Sequence, residues 1–144
     1  MSVRAGLILA TLLAAAPALA QSDTELTIDA RRLGVMVDQS EAALHVLDPA
    51  SPMAQPVEGP EGDAYSELVS ATRRFGVMLA RACREKLADA RFCGAPYAPS
   101  WLKTRPADLR AAIDGAGDRI TPFWTDVCTR AKSRTPDTSL CAIE

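Results

Sequence analysis

Apolar positions recur at three- and four-residue spacing along most of the chain, the period of helices that bury one side. The clearest stripe lies between Asp63 and Cys93, where Tyr65, Leu68, Val69, Thr72, Phe75, Leu79, Cys83 and Leu87 share a face. Glu67, Ser70, Arg73, Arg74, Arg81, Arg84, Glu85 and Asp89 fall opposite, and Asp63 is placed to cap the first turn. Upstream, Ser22-Asp23-Thr24-Glu25 has the form of a capping box. Behind it Leu26, Ala30, Leu33, Val37, Ser40, Leu44 and Leu47 carry a second stripe as far as Pro49. Gly34 weakens the middle of that helix, and Asp38-Gln39-Ser40 offers a place for it to divide in two. Leu26-Thr27-Ile28 also admits a short strand, but the cap and the longer period favour helix.

Downstream, Pro106 suits a helix's first turn, and Leu109, Ile113, Ala116 and Ile120 form a stripe that Gly115 and Gly117 weaken. Thr121-Pro122 then reads as a fresh start for a last helix, with Phe123, Val127 and Ala131 on its apolar face beside Trp124 and Cys128. The stretch 48–62 contains Pro49, Pro52, Pro56, Pro60, Gly59 and Gly62, which marks it as a connection, long for a compact domain. The pattern predicts an all-α protein: a small four- to five-helix antiparallel bundle stapled by two disulfides.

Residues 1–20 stand apart. Arg4, the apolar run Ala5–Ala16, Pro17 and Ala18-Leu19-Ala20 read as a signal peptide cleaved before Gln21. The uncharged stretch from Ala5 to Ala20 is short of the ~20 residues a spanning helix needs. The expected mature chain, 21–144, is a single helical domain in the periplasm or outside the cell, with no stable membrane insertion after cleavage.

Export gives the cysteines their meaning. Cys83, Cys93, Cys128 and Cys141 are an even set, which in an oxidising compartment implies two bridges. Three pairings are open. Cys83–Cys93 with Cys128–Cys141 is favoured, because both close short loops, each contributing about 3 kcal/mol on chain-entropy grounds. A helix running straight through Cys93 would put it about 15 Å along the axis from Cys83, so the helix must stop near Leu87 or Ala88. Otherwise Cys93–Cys128 becomes the better pairing. No close cysteine pair suits zinc, and the single histidine, His45, is remote.

Charge is uneven. Residues 21–72 carry a net −8 and residues 73–144 a net +5, which predicts an acidic first half folded onto a basic second half. The negative total and export disfavour nucleic acid as a partner. An arginine face of Arg73, Arg74, Arg81 and Arg84 is diluted by Glu67, Glu85 and Asp89, which weakens any attraction to lipid.

Catalytic signatures are scarce. There is no nucleophile elbow, no His-Glu-x-x-His, no phosphate loop and no Cys-x-x-Cys. No catalytic residue, metal or cofactor is assigned. The segment best suited to recognition is 94–105, where Tyr97 and Trp101 offer flat faces between prolines and Lys103 and Arg105 follow. Such aromatics pack internally more often than they bind ligands. The leading expectation is a non-enzymatic binding or interaction module for an unknown envelope protein or small ligand, through Tyr97, Trp101, Lys103 and Arg105.

The alternative is a small periplasmic hydrolase or mutase acting on an acidic metabolite or envelope glycan. Leu109-Arg110-Ala111-Ala112-Ile113-Asp114 resembles the opening of the catalytic helix in helical chorismate mutases. The resemblance covers about a dozen residues and implies that Arg110 binds a substrate carboxylate. The second acid, Asp118, stands four positions after the first where that family usually has three. An enzyme of this kind needs at least two of Arg110, Asp114, Asp118 and Lys103 around one pocket.

Overall fold

A computed structural model describes residues 22–54, 62–137 and 139–142. The expected signal peptide lies outside the described residues, as does the centre of the 48–62 connection. The fold is all-α, with no strand among the described residues. Three long helices, α1 (Asp23–Leu47), α2 (Ala64–Arg84) and α3 (Leu109–Lys132), are joined by a passage with short 3₁₀ turns at Ala90–Phe92 and Ser100–Leu102.

Among the described residues three α-helices replace the expected four or five, and at both sites of predicted breakage packing overrides the local signal. α1 begins at the Ser22 cap, which accepts from the Glu25 N–H, and runs unbroken for 25 residues. A Cβ at Gly34 would come within 3.0 Å of the Arg74 guanidinium, so this glycine makes room where α2 crosses α1. The polar trio also has partners. Asp38 pairs with Arg74, the Gln39 amide accepts from the Trp124 indole at 2.9 Å, and the Ser40 hydroxyl donates to the Met36 carbonyl at 2.7 Å.

α3 is capped by Asp108 rather than started by Pro106, and it continues through Gly115, Gly117 and Pro122. Pro122 removes one backbone hydrogen bond, at a cost of about 3 kcal/mol. The buried stripe of Ile113, Ala116, Ile120, Phe123, Val127 and Ala131 crosses that point without interruption. Burial of Phe123 and Val127 alone contributes about 1.5–3 kcal/mol each, so the helix persists.

The expected antiparallel order is also corrected. Ion pairs along α1 and α2 climb together, Arg31 with Glu67, Asp38 with Arg74, and Glu41 with Arg81. So do the partners along α1 and α3: Asp29 with Arg110, Met36 with Thr121, Gln39 with Trp124, and Leu47 with Arg134. All three helices therefore run parallel. A 25-residue helix is about 37 Å long, and a parallel neighbour requires the chain to travel that distance back. The intervals between helices, 48–63 and 85–108, are long enough when extended at ~3.3 Å per residue. The pairing pattern also bears out the charge split, since α1 acids meet arginines of α2 and α3.

α1 contacts both other helices along its length, whereas α2 and α3 touch each other less, chiefly where Phe75 meets Phe123. The core holds Leu44, Leu68, Phe75, Ile120, Phe123 and Val127, all fully buried. Both favoured disulfides are present, Cys83–Cys93 and Cys128–Cys141. The first satisfies its geometric condition. α2 ends at Arg84, Lys86 takes a left-handed turn at φ 60°, and the Leu87 N–H donates to the Ala82 carbonyl at 2.8 Å. The two bridges are compatible with an oxidising compartment, and no helix among the described residues is long and apolar enough to cross a membrane.

Candidate functional site

The passage from Cys93 to Arg105 forms a strap along α2 that also reaches α3 where Arg119 lies over the Tyr97 ring. Pro96 and Pro99 suppress helix, and the strap runs opposite in direction to α2. Phe92 meets Phe123 edge-on at 5.5 Å, and Tyr97 meets Phe75 edge-on at 6.1 Å. Further along, the Trp101 carbonyl accepts from the Tyr65 hydroxyl at 3.0 Å, and Arg105 donates to Asp63 at 2.7 Å. Gly76 faces the strap, and a Cβ there would meet the Tyr97 carbonyl at 3.7 Å, an ordinary van der Waals contact.

Along this strap the four sequence-selected residues diverge. Tyr97 is half-buried, with the Arg119 guanidinium 4.9 Å above its ring. Burial raises its phenol above the ordinary value, opposed by Arg119 and assisted by Asp118. Trp101 is half-buried against the core. Lys103 is exposed; its backbone N–H donates to the Ser100 carbonyl at 3.3 Å. Arg105 is exposed, its guanidinium 5.7 Å from the Tyr65 ring. The Ser66 backbone N–H, and then Arg105, hold the Asp63 carboxyl below its usual value.

Of the four, only Tyr97 lines the cleft that lies between α2 and the strap. This cleft has a volume of about 590 Å³. Gly76, Val77, Leu79, Ala80 and Cys83 form its helix wall, and Phe92 to Tyr97 with Leu102 form its strap wall. Arg73 is the charged side chain in its lining. Thr72 also lines it, and its buried hydroxyl has no hydrogen-bond partner among the described residues. Sequence reasoning missed Gly76, Val77 and Ala80. The available signal was two small residues flanking a valine on the polar side of the α2 stripe.

A second cleft, about 420 Å³, lies between α1 and α2. Val37, Ala42, Met53, Val77 and Met78 give it an apolar floor, and the Asp38–Arg74 and Glu41–Arg81 pairs also line it. Arg73 and Val77 line both clefts, so they form a ridge between them; Val77 is 74% exposed. The arginine face is thus divided. Arg74 and Arg81 turn toward α1, and Arg73 and Arg84 remain exposed.

A third cleft, about 570 Å³ between α1 and α3, gathers Arg110, Asp114 and Asp118 with Asp29 and Arg32; Lys103 is absent from it. The Arg110 guanidinium donates to Asp29 at 2.5 Å and to Asp114 at 2.7 Å, and the Asp29 bond chiefly raises its already high pKa. An incoming carboxylate would compete with two carboxylates already in place. His45 sits in the last turn of α1, its Nδ1 3.0 Å from the Ser51 carbonyl. Among the described residues no cluster of His, Cys, Asp or Glu suits a metal ion. No family model, curated protein or solved structure matches this chain.

Proposed function

We propose that the protein is a non-enzymatic binding module of the periplasm or extracellular space, and that it binds at the cleft between α2 and the strap. One observation carries this reading: an apolar cleft of about 590 Å³, within the size range of ligand sites, opens beside an exposed valine ridge. Its strap wall is anchored by a disulfide at one end and by the Arg105–Asp63 pair near the other. That anchoring limits the ordering cost of binding. The test is a photocrosslinking residue at Val77 in living cells, with one at Arg32 in the third cleft for reference. A discrete adduct from Val77 alone, identified by mass as ligand or partner, is expected. No adduct at Val77, or equal yields from both positions, would overturn the reading.

A hydrolase or mutase acting at the third cleft is a second reading, favoured by the meeting of Arg110, Asp114 and Asp118 there. The occupied state of Arg110 weighs against an acidic substrate.

A further inference from the structure

We infer that the cleft between α2 and the strap takes a free single-chain amphiphile with one anionic head, of the fatty-acid class, and that Arg73 holds the head. This rests on the cleft being the binding site and adds the chemistry of its ligand.

The shape and the lining point to a chain. Arg73 and Cys83 both line the cleft, and ten positions of helix separate them by about 15 Å along the axis. Between them the walls are Gly76, Val77, Leu79 and Ala80 on one side and Phe92, Pro96 and Tyr97 on the other. No carboxylate is among the described residues that line it. An extended hydrocarbon can bury its surface along such a trough without stranding a polar group.

The head is indicated by what folding leaves over. Arg74 and Arg81 are each paired with an acid of α1, yet Arg73, on the same helix, is exposed with no ion-pair partner among the described residues. It stands beside Leu102, which lines this cleft and a neighbouring one that Arg73 also lines. A lone cation beside an apolar trough complements an anion tethered to hydrocarbon. Thr72 adds an independent mark. The residue lines the cleft while 1% exposed, and its hydroxyl has no hydrogen-bond partner among the described residues, so the fold leaves one polar group unsatisfied behind the trough wall.

The experiment uses the purified, disulfide-intact protein and three probes below their aggregation limits: decanoate, decanol and decyltrimethylammonium. Isothermal titration should show saturable one-to-one binding of decanoate, roughly three- to ten-fold weaker binding of decanol, and weakest binding of the cation. Arg73→Gln, a surface change that leaves the core untouched, should bring decanoate to the level of decanol. Gly76→Leu, which projects a side chain into the trough, should abolish binding of all three while circular dichroism is unchanged. Equal binding of the three probes that Gly76→Leu abolishes would overturn the ligand class and leave the binding cleft standing. Binding insensitive to Gly76→Leu, or binding only to anionic vesicles and not to monomeric decanoate, would overturn the inference. So would no saturable binding, and the Val77 crosslink then decides separately whether the cleft binds anything.

Discussion

The two disulfides close loops of similar length, yet they serve opposite ends of the molecule's behaviour. Cys128 and Cys141 are both buried, and their bridge returns the tail to α1, where the Gln39 amide donates to the Ala142 carbonyl at 2.6 Å. Cys83 is half-buried and Cys93 exposed, and their bridge starts the strap that forms one wall of the cleft beside α2. One bridge seals a core; the other sets the width of an opening. The difference shows that loop length alone does not reveal a crosslink's role, because the surroundings of the sulfurs decide it.

Measurements of stability and of thiol reactivity put this contrast to the test. The largest effect is expected for Phe123→Ala, which removes a fully buried ring that meets both Phe75 and Phe92 and should cost about 3–5 kcal/mol in denaturant unfolding. Replacing Cys128 and Cys141 together by serine should cost about 3–5 kcal/mol, since loop constraint is lost and two hydroxyls enter a buried site. The same change at Cys83 and Cys93 should cost about 2–3 kcal/mol and speed proteolysis within 94–105. If the second pair costs as much as the first, the contrast fails. Graded reduction followed by alkylation should label Cys93 before Cys141, and the opposite order would also break it. Lys86→Gly should be the smallest change, stabilising by about 0.5–1 kcal/mol, because Lys86 holds a left-handed turn that glycine adopts without strain.

Much of this architecture was legible in the residues, and the parts that were not share a cause. Ser22, Asp63 and the paired cysteines carry local signals, and the structure uses them as written. Thr121-Pro122 carries an equally plain local signal, and it is overruled because Ile120, Phe123 and Val127 gain more from burial than one backbone bond is worth. Helix direction was hidden for another reason. A stripe of apolar positions tells which face is buried but nothing about which way its neighbour runs. Only the length of 48–62 hinted at a return journey, and composition alone read it as a link. The cleft escaped notice because Gly76 and Ala80 line it with no side chain and a methyl group, whereas Tyr97 and Trp101 draw attention by having large ones.

Acid titration probes the strap's far anchor. Asp63 has a depressed carboxyl in the folded protein, so its contribution is present above the unfolded value near 3.8 and is lost as pH falls through the lower folded value. In Asp63→Asn the fall in stability below about pH 4 should be shallower, with the strap loosened at every pH. An unchanged acid slope would remove Asp63 from that role.

Running three helices in one direction gathers three amino-terminal ends, each with a partial positive charge, at a single pole of the molecule. Asp23, Glu25, Asp63 and Asp108 supply the answering negative charge there, while Arg84, Arg130 and Lys132 serve the opposite pole. Opposite charges are thereby sorted to opposite poles of the molecule, where an alternating bundle would mix both signs at each end.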